Sequence, residues 1–165
     1  MGNQSHRDHW SEWFDEWGER FLLFARQQTA SMAEAEDILQ EAFVHIWSRR
    51  NLFPVIQPGL VFTQIRRVAI DHARREKRRQ RREESYAREN EPLYFDKSLR
   101  FSPGELQEAM EQLNREQREV LVLKIWGEQT FESIAETLEI SPNTAASRYR
   151  YGLEKLRAVL KGGKK

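Results

Sequence analysis

With 165 residues the chain is long enough for one medium domain or two small ones, and its formal net charge of +1 hides an uneven distribution of charge. The absence of cysteine excludes disulfide staples, thiolate metal sites and cysteine nucleophiles. Apolar runs reach five residues at most, far short of the ~20 needed to span a bilayer, and the opening MGNQSHRDHW lacks the apolar core of a secretory signal, so a soluble cytoplasmic protein without membrane insertion is expected.

The first element is a helix in which Trp10, Trp13, Phe14, Trp17, Phe21, Phe24 and Ala25 recur at helical spacing and form one wide core stripe. Ser31 and Glu34 make a capping box for a second helix, about Met32 to Arg49, whose inward residues are Ala35, Ile38, Leu39, Ala42, Phe43, Ile46 and Trp47. The segment NLFPVIQPG then breaks the pattern, because each proline removes a backbone donor and disfavours helical geometry in the residue before it. A third helix places Val61, Ile65, Val68, Ala69 and His72 on one side and runs on into an arginine-rich segment. From about Glu83 to Phe101 the sequence is charged and aperiodic and reads as a linker.

A second unit opens at Ser102, with Pro103 at the first helical position and Leu106, Ala109, Met110 and Leu113 inward. Asn114 caps the next helix, which carries Val120, Leu121, Leu123 and Ile125 and stops near Gly127. Thr130 starts a short helix with Ile134, Ala135 and Leu138 inward. After a tight turn, Ser141 and Pro142 start the last helix, with Ala145, Tyr149, Leu153, Leu156 and Leu160 inward. Two helices joined by about three residues, the second rich in arginine and hydroxyl groups near its start, are a helix-turn-helix. The fold class is all-α: two small helical domains, 8–82 and 102–161, joined by a flexible linker at 83–101.

Catalysis finds no support. The four histidines His6, His9, His45 and His72 are scattered, and no nucleophile triad or phosphate-cradling glycine loop is present. His6 and His9 share helical spacing, which fits a metal pair but fits a frayed polar terminus better, so no metal and no cofactor is expected. Between Arg66 and Arg82 nine Arg or Lys stand against two acids, Asp71 and Glu76. A helix macrodipole rewards one or two terminal cations; nine at this density repel one another unless phosphates neutralise them. The segment, including Arg66, Arg67, Arg74, Arg75, Lys77 and Arg78, therefore reads as a nucleic-acid surface. In the last helix Asn143, Thr144, Ser147, Arg148, Arg150 and Tyr151 point away from the inner face and suit base edges and phosphates in a major groove.

These segments resemble a known family. AEAEDILQEAFVHIW, Ala33 to Trp47, resembles the polymerase-binding helix of extracytoplasmic-function sigma factors; IRRVAIDHARR, Ile65 to Arg75, is similar to their helix for the -10 promoter element. Leu113 to Arg157 looks like their domain for the -35 element. The resemblance implies that Asp37, Gln40 and Glu41 dock on core RNA polymerase and that Arg66, Arg67, Arg74 and Arg75 follow the -10 region. It makes Asn51 to Gly59, with Asn51, Phe53 and Gln57, either a loop that captures an unstacked base or a passive connection. It further implies promoter DNA as partner, duplex at -35 and melted at -10, with an anti-sigma factor as a further candidate.

The chain departs from the family at Leu60, where Trp is common, at Ala146, where Lys is common, and at Glu139, where Gly is usual. Keeping the left-handed turn with Glu139 costs roughly 1–2 kcal/mol, so either the turn differs or packing of Ile140 offsets the strain. Two rival readings are a helix-turn-helix regulator outside polymerase and a helical protein adaptor. The first domain argues against the regulator, since it lacks the alternating strands and helices of a receiver.

Overall fold

The computed structural model describes residues 2–53, 55–82 and 103–162, which contain seven α-helices and no strand. The expected linker at 83–101 and the capping position Ser102 lie outside the described residues.

Aromatic density organises the first half. α1 (Gly2–Gln27) runs as one helix through the whole tryptophan stripe. Its inward end, Phe21, Phe24 and Ala25, is fully buried, whereas Phe14 is 43% exposed. The stripe is therefore core only at its C-terminal end, because the partner helix α2 (Met32–Ser48) covers just part of it. Ser31 caps α2: its hydroxyl accepts from the Glu34 backbone N–H at 3.2 Å, and the Glu34 carboxylate accepts from the Ala30 N–H rather than from that of Ser31 itself. A 3-10 turn (Arg50–Leu52) leads to α3 (Pro58–Gln80), which starts with proline at its first position as the lost donor there is free of cost.

α3 buries Val61, Phe62, Ile65, Val68 and Ala69 against α1 and α2. Phe62 packs edge-on against Phe21 and Phe24, with ring centroids 5.0 and 5.5 Å away. Emptying a site of this kind costs about 3–5 kcal/mol.

In the second half α4 (Pro103–Glu111) is followed by α5 (Arg115–Leu121), whose start carries a full capping box between Asn114 and Gln117. α5 continues into a π-turn, Val122–Trp126, that closes on Gly127. α6 (Phe131–Leu138) is capped by Thr130, and α7 (Pro142–Gly162) by the Ser141 hydroxyl, which accepts from the Thr144 N–H at 3.1 Å. α7 buries Ala145, Gly152 and Leu156. A Cβ on Gly152 would stand 3.3 Å from both Gln117 and Leu121, so the small residue lets α7 lie close on α5.

The two halves pack against each other through α3, α1, α5 and α6, and their apolar cores are continuous. Gly59 at the start of α3 faces Gln129 and Ser133, and the Thr63 and Thr137 hydroxyls lie 2.9 Å apart.

The turn between α6 and α7 keeps the left-handed geometry: Glu139 has φ 56° and ψ 46°, and the Ile140 N–H donates to the Ala135 carbonyl at 3.0 Å. Glu139 is exposed and Ile140 packs partly into the core, so the strain is carried by the backbone and offset by that contact. Glycine there relieves the strain at the cost of a freer unfolded chain. Glu139→Gly is expected to raise stability by roughly 0.5–1 kcal/mol, read as a higher urea midpoint with an unchanged slope.

Candidate nucleic-acid interface

Three surfaces carry the polar residues singled out in the sequence. On α2, burial of Ala35, Ile38, Leu39, Ala42 and Ile46 turns Asp37 and Gln40 to solvent and leaves Glu41 half-buried. Spacings of three and four put these three on one face with Val44, 67% exposed, and Trp47, 51% exposed. Trp47 is thus not core. It meets Trp10 edge-on at 5.5 Å and carries the Arg50 guanidinium 4.5 Å above its ring. The face combines acidic and exposed apolar groups.

Glu41 ties this patch to α3. His72 Nε2 of α3 donates to Glu41 Oε2 at 2.6 Å, and His45 Nε2 lies 3.6 Å from Oε1. The hydrogen bond from His72, helped by the nearby His45 and Arg75 and opposed by partial burial, holds the Glu41 carboxyl below its ordinary value.

On α3 the expected basic residues divide. Arg67, Arg74, Arg75, Lys77 and Arg78 are exposed, and Arg67, Arg74, Arg75 and Arg78 share one side by helical spacing, with Asp71 among them. Arg66 points the other way, into the contact with the second half, where its guanidinium donates to Glu119 Oε1 at 3.2 Å. Asn51 and Phe53 are exposed on the α2–α3 connection, beside Leu52 at 74% and Val55 at 67% exposure. Of these only Phe53 is aromatic, and an exposed ring suits stacking against an unpaired base.

On α7, Asn143, Thr144, Ser147, Arg148 and Tyr151 share one face, with Arg150 at its edge. Asn143, Arg150 and Tyr151 are exposed, while the others are half-buried. The Thr144 hydroxyl is 2.8 Å from Ser141 Oγ and belongs to the cap. Arg148 pairs with Glu116 of α5 at 3.4 Å, and the Arg150 guanidinium sits 5.0 Å from the Tyr151 ring centroid.

Sequence reasoning missed Glu119. It ends the polar stretch NREQRE of α5 and is buried to 4% exposure, with Gln28 and Arg115 as further donors at 2.8 and 3.0 Å. Only the Arg115–Glu119 spacing was visible beforehand, and it equally fits a solvated helix face.

These features define a two-domain helical protein with an exposed basic helix and a helix-turn-helix. Residues 13–79 match the Sigma-70 region 2 family and residues 104–156 match Sigma-70, region 4. The chain is 31% identical over 163 residues to the RNA polymerase sigma factor CarQ of Myxococcus xanthus, covering 93% of this chain and 90% of that one. Among solved structures, the sigma factor RpoE of Bartonella quintana, in complex with the anti-sigma factor NepR, superposes with a TM-score of 0.75 at 19% identity. That match covers 94% of this chain and 98% of the other. CnrH, in complex with the cytosolic domain of CnrY, gives 0.59 at 19% identity, covering 98% and 91%. The chain belongs to the extracytoplasmic-function group of sigma-70-type RNA polymerase sigma factors, the proteins that direct promoter-specific initiation of transcription.

The depressed Glu41 carboxyl has a consequence for stability. Its contact with His72 contributes above the ordinary carboxyl value of 4.5, and that contribution is lost as the pH falls through the lowered one. Glu41→Gln is expected to melt below the parent at neutral pH, and the gap in Tm to close as the pH is taken well below 4.5.

Proposed function

We propose that the first domain, about 8 to 82, binds core RNA polymerase and the -10 element, that 83–101 is a linker, and that the second domain, about 102 to 161, binds the -35 element. Asp37, Gln40 and Glu41 form the docking patch on polymerase, with Val44 and Trp47 adding apolar area beside them. Arg67, Arg74, Arg75, Lys77 and Arg78 neutralise phosphates near -10, joined by Arg66 when it is released from Glu119. Asn51 and Phe53 take an unstacked base. Asn143, Thr144, Ser147, Arg148, Arg150 and Tyr151 face the -35 duplex, with the first turn of α7 at the base edges.

The observation that carries this reading is the combination, within one chain, of an acidic helix face, a basic helix and a capped helix-turn-helix. A regulator that binds beside polymerase needs the last of these but neither of the others. Opening of the duplex draws on captured bases and phosphate contacts, so the protein acts without nucleotide hydrolysis or a cofactor, and works in the cytoplasm. An anti-sigma factor is a further partner, a reading supported by the solved complex of RpoE with NepR. Promoter-directed transcription with purified core polymerase and no other sigma factor tests the function. Specific transcripts are expected, whereas a requirement for a second sigma factor would favour the regulator.

Two substitutions test the assigned surfaces. Asp37→Lys combined with Glu41→Lys is expected to reduce copurification with core polymerase at least tenfold with helix content unchanged. Asp37→Lys alone, which removes no ion pair among the described residues, should show the same direction. Arg148→Ala is expected to lower discrimination between cognate and mismatched -35 sequences by about 1–3 kcal/mol, the range for a base-reading arginine. Uniform weakening on all sequences would make Arg148 a phosphate contact instead.

A further inference from the structure

Glu41 is held differently from its neighbours on the α2 face. Asp37 and Gln40 are open to solvent, whereas the Glu41 side chain is 32% exposed and each of its carboxylate oxygens faces an imidazole. Oε2 accepts from His72 Nε2 of α3 at 2.6 Å, and Oε1 lies 3.6 Å from Nε2 of His45, one turn along α2. Small residues sit below on both helices: Ala42, beside Glu41, is fully buried, and Ala69, one turn before His72, is 4% exposed. The carboxylate therefore bridges α2 and α3, and its direction is set from α3.

Two properties of this bracket bear on docking. A solvated glutamate has free torsions that must be fixed when a partner binds, so a carboxylate already held in place loses less on association. The second property is charge. An imidazole can donate from Nε2 while neutral, which lysine and arginine cannot do. The bond from His72, helped by the charges of His45 and Arg75, holds the Glu41 carboxyl below its ordinary value, so the acid stays ionised. A carboxylate has about four lone-pair sites, and the one taken by His72 leaves the others to accept from a cationic partner.

We propose that His72 is a positioning residue for polymerase docking: by a hydrogen bond from α3 it fixes the direction of the Glu41 carboxylate without cancelling its charge. The proposal rests on the docking reading above. It also gives α3 a second task, since the helix that carries Arg67, Arg74, Arg75 and Arg78 on its exposed side orients an acid of the polymerase face from another.

Three substitutions in the full chain test this. His72→Gln keeps an uncharged N–H donor at similar reach, His72→Lys keeps a donor but adds a fixed charge, and His72→Leu keeps neither. Affinity for purified core polymerase is measured by titration, together with Tm and helix content. His72→Leu is expected to weaken binding about three- to tenfold, and His72→Gln to recover most of that loss. His72→Lys should melt above His72→Leu, because an ion pair with Glu41 remains, yet bind polymerase no better. A residue that only braces the fold gives the opposite pattern, in which affinity follows Tm. Binding by His72→Leu equal to the parent, by His72→Gln as weak as His72→Leu, or by His72→Lys as strong as the parent each overturns the proposal. The comparison of His72→Gln with His72→Lys decides the matter even if His72→Leu does not fold. In a Glu41→Gln background His72→Leu should add little further loss, and full additivity rejects action through Glu41. If the parent itself does not bind core polymerase, the sigma-factor reading fails and the proposal with it; a parent that binds, with variants no weaker, sinks the proposal alone.

Discussion

The buried ring of Phe62 ties the molecule together. On one side it closes the aromatic core made with Phe21 and Phe24; on the other it lies beneath Gly127, where the π-turn of the second half comes down onto α3. α3 is therefore shared. Its apolar side completes the first domain, its N-terminal polar side meets the second, and its outward side, from Arg67 on, carries the exposed arginines. Placing this helix fixes where every proposed surface falls.

That sharing explains why a chain of nearly balanced charge can bind a polyanion. Only two acids, Asp71 and Glu76, stand among the arginines of α3; others lie on α2, on α5 and at helix starts, where they cap, pair or face outward. The potential over the exposed end of α3 is set locally, within a Debye length of about 8 Å, and the total over the chain says little about it.

Most of the helices were legible in the sequence because their ends are chemically marked. Ser31, Asn114, Thr130 and Ser141 each accept from a backbone N–H three residues on, and Pro58, Pro103 and Pro142 sit at first helical positions. Periodicity likewise identified the outward faces of α2 and α7. What periodicity does not report is which neighbour a face meets. Trp47 fits the inner stripe of α2 by spacing yet stands half in water, because α1 crosses above it only at Trp10. Arg66 and Arg67 are adjacent and chemically identical, and a turn of 100° per residue sends one to the second domain and the other to solvent. Glu119 was illegible for the same reason: its burial is produced by residues more than fifty positions away.

Gly127 shows how little would be required to change this balance. A methyl group on its α-carbon would stand 2.6 Å from the Leu123 carbonyl oxygen and 3.1 Å from the Phe62 ring. The backbone angles there, φ −78° and ψ −14°, are open to any residue, so the constraint is space alone. Every larger side chain at this position acts as a wedge driven into the seam. Substitution there would strain the π-turn and press on Phe62, the ring on which the two halves meet.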